Sequence, residues 1–237
     1  AIDQTRGWFY TMHAIGILMG KGKAYKNVIC LGHILDAEGK KMSKSLGNIV
    51  DPWFMMDKYG VDALRFWMYT VNQPGDSKNF DERTVDEIVK KVFNPIENIL
   101  SFYQLYTNNN IQPSSQSKNV LDQWIIASLN NLLKEGTENF DEYKIFEAGR
   151  SIRDFANDFS TWYIRRSRER FKSEDLADKK DALNTTRFVL LELAKYMAPF
   201  TPFFAEHLYL SLKSDSDPES VHLCGWPLVG KIDIDIL

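Results

Sequence analysis

The residues best suited to chemistry are Lys40, Lys41, Lys44, Ser43 and Ser45. They lie in the run Lys40-Lys41-Met42-Ser43-Lys44-Ser45-Leu46-Gly47-Asn48. Ammonium groups and hydroxyls on a loop between structured elements suit an anionic ligand, most simply a polyphosphate; a plain solvated loop has the same composition. Lys40 reads as a solvated neighbour and Met42 as the residue that packs the loop down. A second cluster, Arg165, Arg166, Arg168 and Arg170, stands beside Trp162 and Tyr163. Guanidinium groups next to aromatic rings suit an RNA backbone with unpaired bases. The same arginines equally suit pairing with Asp158 and Glu169, or snorkelling at the end of a buried stripe. His13, His207 and His222 are singletons without metal spacing. Cys30 and Cys224 form no CxxC, so no metal site and no disulfide framework is expected.

The elements that must position these groups follow from periodicity. Trp8, Met12, Ile15 and Met19 recur at helical spacing over Thr5 to Gly20. Asn27 to Leu31 is a short apolar run that reads as a buried strand, left at Gly32-His33. Ile34-Leu35-Asp36 and Ala37-Glu38-Gly39 form a turn feeding the lysine loop. Asp51-Pro52 starts a helix that Gly60 ends, and Val61 to Val71 forms the next. Asn72-Gln73-Pro74-Gly75-Asp76-Ser77 is the clearest boundary.

Beyond it the pattern is all-helical. Thr84 and Glu87 form a capping box, and Pro95 predicts a kink one turn back. A polar loop covers 108–119, and helices are expected at 120–138, 142–172, 180–198 and 201–213. In the 142–172 helix, Ile145, Ala148, Ile152, Phe155, Phe159 and Trp162 form a stripe whose next member is Arg166. The fold class is therefore mainly α, with an α/β start. The expected parts are 1–50 with the lysine loop, a helical connector at 51–77, a helical bundle at 78–213 and a tail at 214–237.

The chain has 237 residues, 44% hydrophobic and 13% aromatic, enough for one large or two modest domains. Its formal net charge of −3 means that any nucleic-acid contact must come from a local patch. No apolar run approaches a membrane span and the start does not read as a signal peptide, so a cytoplasmic protein is expected. The abrupt start without Met and the strand-like end at Ile232 to Leu237 suggest a piece of a longer protein.

Lys41-Met42-Ser43-Lys44-Ser45 resembles the KMSKS motif of class I aminoacyl-tRNA synthetases. Its flanks, Gly47-Asn48-Ile49-Val50-Asp51-Pro52 and Lys58 to Arg65, are similar to the class Ia branch. Asp3-Gln4-Thr5-Arg6-Gly7-Trp8-Phe9, Trp162-Tyr163-Ile164-Arg165-Arg166-Ser167-Arg168, Met197 to Phe203 and Ser220 to Leu223 with Trp226-Pro227 resemble the isoleucyl family.

The resemblance implies the end of a Rossmann-type catalytic domain followed by an anticodon-binding bundle, in an ATP-dependent ligase joining isoleucine to tRNA(Ile). It implies Lys41 and Lys44 as catalytic residues, and Gly32, His33, Ile34, Met42, Ser43, Lys44 and Ser45 at ATP. It places Asp3, Gln4 and Trp8 at the aminoacyl-adenylate, with helix capping as the plain role for Asp3 and core packing for Trp8. Arg165, Arg166 and Arg168 would meet tRNA. Mg2+ would arrive with ATP, and the parent would be a monomer. The family's His-Ile-Gly-His motif, first Rossmann half and editing insertion would precede Ala1, and its zinc-binding region would follow Leu237. The piece by itself would be inactive. A stand-alone RNA-binding helical module, or a valyl or other class Ia enzyme, is the alternative.

Overall fold

The computed structural model describes residues 2–107 and 111–236; Ala1, 108–110 of the expected polar loop, and Leu237 lie outside the described residues. The chain opens with a 3-10 turn, Ile2–Arg6, and helix α1, Trp8–Leu18. The stretch 27–31 is extended but joins no ladder. The paired strands are instead β1, Ile34–Leu35, and β2, Lys78–Asn79, parallel, with Ile34 opposite Lys78. A strand needs a partner for its backbone groups, and among the described residues 27–31 has only one backbone–backbone bond, from Ile2 N–H to Leu31 O at 3.0 Å. Its side chains stay open accordingly, with Val28 43% and Leu31 50% exposed.

Between the strands run α2, Pro52–Tyr59, and α3, Val61–Thr70. Asp51 caps α2 by accepting the Trp53 N–H at 2.9 Å, and Pro52 occupies the first turn, where a missing N–H costs nothing. The loop back to β2 is pinned by Lys78. Its buried ammonium donates to Asn72 Oδ1, Gln73 O and Asn72 O at 2.5, 3.0 and 3.4 Å. Burial lowers its pKa, and the negative charge of Asp76 partly opposes that.

The helical part begins three residues earlier than the expected capping box. Asp81 caps α4, Glu82–Ile88, through the Arg83 N–H, while Thr84 donates its hydroxyl to Asp81 O and accepts the Trp67 indole N–H at 2.7 Å. The expected kink before Pro95 is a π-helical turn, Val89–Phe93, leading into α5, Asn94–Tyr106. Pro95 lacks the N–H that would bond Lys91 O, so the ladder changes register there. Helices α6, Val120–Asp141, α7, Ile145–Asp158, α8, Arg165–Lys172, α9, Leu176–Met197, and α10, Pro202–Leu210, complete the bundle. A second π turn, Phe159–Ile164, joins α7 to α8.

One apolar cluster runs from Met55 and Trp67 through Ile96, Ile125, Ile152 and Tyr163 to Val189, Tyr196 and Leu208. Helix α3 belongs to that core, and two polar residues of its first turns fasten it further. Asp62 Oδ2 accepts the Phe204 N–H at 2.6 Å and so caps α10, whose own N-cap Thr201 makes no side-chain capping bond and instead donates its hydroxyl back to Met197 O. Arg65 donates to Phe200 O and Pro199 O at 3.3 and 3.2 Å, just beyond the end of α9. A carboxylate at a helix start and a guanidinium near a helix end both complement the helix dipoles. By contrast α1 buries none of its residues: Trp8 is 57% and Leu18 86% exposed. Among the described residues no helix is long and apolar enough to cross a membrane.

Candidate functional site

The lysine loop is held by one buried side chain, Asp36, at the end of β1. Its Oδ1 accepts the Lys40 N–H at 2.7 Å and its Oδ2 accepts from Asn48 Nδ2 at 2.7 Å. Asn48 reaches across the loop: its Oδ1 accepts the Ser43 N–H at 2.9 Å and its Nδ2 also faces Lys41 O at 3.3 Å. These bonds hold the Asp36 carboxyl below the usual carboxylate range, the Asn48 amide contributing most and the Lys40 N–H next. An antiparallel bridge between Leu35 and Lys41 brings the loop back against β1.

Ser43 caps a 3-10 turn, Lys44–Leu46, by accepting the Leu46 N–H at 3.3 Å, and its hydroxyl lies 3.1 Å from that of Ser45. Gly47 closes the turn at φ 67°, the left-handed region in which a Cβ costs about 1 kcal/mol or more. Met42 packs against the core, as its apolar side chain suggests. Lys41 and Lys44 are exposed, and their ammonium groups form no ion pair or hydrogen bond with any described residue. The two serines are spent on the shape of the loop and the two lysines are left to act outward. Asp36 and Asn48 escaped sequence reasoning; the available signal was an acid at a strand end, four residues before a backbone N–H that it caps.

Gly32 sits where backbones meet. Its N–H donates to Pro74 O at 2.9 Å, and a Cβ there would stand 2.2 Å from Asp76 O and 2.7 Å from Ser77 N. The close approach that only glycine allows is therefore used by the 74–77 backbone of the same chain. His33 is exposed and its carbonyl accepts the Lys78 N–H at 2.8 Å; the Ile34 side chain is 40% exposed.

The bond from Ile2 to Leu31 ties the first 3-10 turn to this edge, and Asp3 is near enough to feel the charge of His33. Gln4, not Asp3, caps α1: its Oε1 accepts the Trp8 N–H at 3.1 Å while its Nε2 donates to Asp3 Oδ2 at 3.0 Å. That bond is the main reason the Asp3 carboxyl lies below its ordinary value, with a small contribution from His33. The Trp8 ring is open rather than packed in a core.

In the bundle the arginines divide. The second π turn carries one residue more than an α turn, so the buried stripe moves on by one position. It runs Phe159, Tyr163, Ser167, Phe171, not Phe159, Trp162, Arg166. The arginine expected at the end of the buried stripe is thus at the surface. Arg166 lies over the Trp162 ring, 3.6 Å from its centroid, and Trp162 is 45% exposed with Trp124 beside it at 6.4 Å. Arg165 and Arg168 are exposed too, Arg168 lying 5.8 Å from the Phe102 ring.

Arg170 is the half-buried, paired one. It donates to both oxygens of Asp122, at 2.7 and 2.8 Å, and to Asp178, while Tyr163 and Ser117 also donate to Asp122 at 2.7 Å each. Burial alone would weaken Arg170's hold on its proton, but the two carboxylates override it and the net push is upward. Among the described residues no group of three or more His, Cys, Asp or Glu could hold a metal ion.

Two family models match the chain: tRNA synthetases class I (I, L, M and V) over residues 1–81, and the anticodon-binding domain of tRNA ligase over residues 122–236. The chain is 44% identical over 244 aligned residues to the isoleucine–tRNA ligase of Dehalococcoides mccartyi strain 195, covering 99% of this chain and 24% of that protein. It is 42% identical to the Deinococcus radiodurans isoleucine–tRNA ligase, over 97% of this chain and 22% of that one.

Among solved structures, LeuRS of Agrobacterium radiobacter K84, in a ternary complex with tRNA and LeuAMS, superposes with a TM-score of 0.69 at 19% identity. That match covers 93% of this chain and 27% of the other. Mycobacterium tuberculosis methionyl-tRNA synthetase with methionyl-adenylate gives 0.59 at 25% identity, over 74% and 36%. The chain thus spans about a quarter of the length of the relatives it matches. With both models in their order along the chain and the isoleucine–tRNA ligases aligned from end to end of it, the chain belongs to the class I tRNA synthetases, in their isoleucine–tRNA ligase branch.

Proposed function

We propose that this segment supplies the phosphate-facing half of the ATP site and the tRNA-binding bundle of a cytoplasmic, monomeric isoleucine–tRNA ligase. The observation that carries the reading is the pair of unengaged ammonium groups, Lys41 and Lys44, on a loop folded back against β1. In the first step an isoleucine carboxylate oxygen bonds to the α-phosphorus of ATP. The bond from that phosphorus to the bridging oxygen breaks, and pyrophosphate leaves with the electron pair. No general base is required, because the attacking carboxylate is already ionised. What the step needs is positioning and positive charge against the leaving group. Lys44 and Lys41 supply that charge, with the Ser43 and Ser45 hydroxyls holding the loop's shape beside the phosphates. The loop offers ammonium groups and hydroxyls, and its one buried carboxylate, Asp36, already accepts with both oxygens. This donor set fits a polyphosphate and leaves Mg2+ to travel with ATP.

Backbone at Gly32–Ile34 faces adenine, Asp3 and Gln4 bond the adenylate, and the open Trp8 ring becomes a wall for the isoleucine side chain. The rest of the parent chain covers α1 and the extended 27–31 stretch. In the second step a terminal ribose hydroxyl of tRNA(Ile) takes the acyl group and AMP leaves. Arg165, Arg166 and Arg168 with Trp162 meet the unpaired bases and backbone of the anticodon loop. The segment alone does not activate isoleucine.

The test is isoleucine-dependent exchange of pyrophosphate into ATP by the full-length parent. Lys44→Ala is expected to lower its kcat by on the order of a hundredfold, with the KM for isoleucine nearly unchanged. No exchange by the wild-type parent overturns the whole reading, and an unchanged kcat overturns the role of Lys44.

A further inference from the structure

We infer that Asp36 and Asn48 are positioning residues for adenylation, a latch that sets Lys41 and Lys44 in register with the strand edge facing the nucleotide base. The inference rests on the ATP-site reading above. The connectivity carries it. Asp36 ends β1, two residues after Ile34, and spends one carboxylate oxygen on the Lys40 N–H and the other on Asn48 Nδ2. Asn48 spends its amide on the backbone either side of Met42, accepting from Ser43 N–H and facing Lys41 O. Ser43 then caps the turn that begins at Lys44. Hydrogen bonds therefore run from the strand end to Lys41 O, and through Ser43 to the Leu46 N–H that closes the turn carrying Lys44. Lys41 is also bridged to Leu35 and Lys44 O accepts the Gly47 N–H at 3.3 Å, but among the described residues neither ammonium group has a partner of its own.

A simple surface turn needs none of this. Its backbone groups could be satisfied by water, and a carboxylate only 9% exposed would be an expensive way to stabilise it. The arrangement makes sense where two ammonium groups must stay near each other, and near phosphate, despite their mutual repulsion. Asp36 also places a negative charge under the loop, with Lys40 next to it, which offsets part of that repulsion. Asn48 is a relay that neither touches substrate nor carries charge.

Because the bond between positions 36 and 48 joins a carboxylate to an amide, the pair can be exchanged. Asn48→Asp sets two carboxylates against each other and opens the latch. Adding Asp36→Asn restores an amide-to-carboxylate bond and an acceptor for Ser43 N–H, losing only the 3.3 Å contact to Lys41 O. In the full-length ligase, N48D is expected to lower kcat for isoleucine-dependent pyrophosphate exchange by about ten- to a hundredfold, the size of effect that displacement of a charged group by about 1 Å produces. The KM for isoleucine should move less than about twofold.

The double variant D36N/N48D is expected to recover at least about tenfold of that loss, a coupling that independent sites do not show. Melting temperatures of all three proteins identify any loss that comes from unfolding. Failure of the double variant to improve on N48D, an unchanged kcat in folded N48D, or an equal rise in the isoleucine KM overturns the latch. Absence of exchange in the wild-type ligase overturns instead the ATP-site reading on which the latch rests.

Discussion

At the scale of single residues, the surface proposed for tRNA depends on how arginine is presented. Arg166 and Arg170 are four positions apart and do opposite work. Arg170 is half-buried and paired with two carboxylates, whereas Arg166 lies over an exposed indole. A guanidinium stacked on an aromatic ring keeps its donors at the ring's rim, and the ring keeps its other face for a base. Trp162→Ala in the full-length ligase is expected to raise the KM for tRNA by about tenfold or more, the usual worth of one base–aromatic stack. Arg166→Ala should raise it less, and pyrophosphate exchange, which needs no tRNA, should be unaffected by either. A tRNA KM unmoved by Trp162→Ala would remove this surface from the RNA interface.

At the scale of elements, α3 is tied to the end of the bundle through Asp62, which caps α10, and Arg65, which donates to the carbonyls after α9. Asp62 is 6% exposed and one of its oxygens, Oδ1, has no hydrogen-bond partner. Burial pushes its pKa up, and the Phe204 and Phe203 N–H groups, Arg65 and His222 only partly oppose that. A carboxyl whose folded-state pKa lies above its unfolded value stabilises the fold while protonated. That contribution is lost as pH rises through the folded pKa. Asp62→Asn retains an acceptor for Phe204 and removes the charge. It is therefore expected to match or exceed the wild type in stability at pH 7, the difference closing as pH falls into the carboxylate range. Asp62→Ala loses the cap and should cost about 1–2 kcal/mol. Urea unfolding of the three proteins across pH reads both effects. A wild type more stable than Asp62→Asn at pH 7 would show the ionised form to be the favoured one.

At the scale of the whole molecule, Arg170, Asp122, Asp178 and Tyr163 join α6, α8, α9 and the second π turn at one end of the bundle. Asp122 is fully buried, so the network is costly to break from one side. Arg170→Met is expected to destabilise the chain by about 3–5 kcal/mol, and adding Asp122→Asn should recover part of the loss by removing the stranded charge. Arg170 also holds the Asp178 carboxyl below its ordinary value. Asp178's contribution is thus present above the usual carboxylate range and lost as pH falls through the depressed value. Urea midpoints at pH 7 and below pH 4 should show the Arg170→Met deficit narrowing in acid. A deficit that stays constant would assign the loss to packing.

Much of the local structure is legible in the residues alone. The lysine loop, the helix begun at Asp51-Pro52 and the break at 72–77 are local, written in residues whose preferences act over one turn. Met42 and Pro95 were legible for the same reason, since one apolar residue and one missing N–H have near-neighbour consequences. Tertiary structure decided what depends on counting across a turn or on partners far along the chain. A single extra residue in the 159–164 turn moved Arg166 out of the buried stripe and put Tyr163, Ser167 and Phe171 into it, because helical phase accumulates and strict periodicity cannot register an insertion. The stretch 27–31 reads as a strand by composition but gains a ladder only when a neighbour supplies one, and here the pairing falls to Ile34 and Lys78. Asp36 and Asn48 look like ordinary loop residues. Their joint control of the lysines exists only once the chain has turned back on itself and brought the two side chains within 2.7 Å.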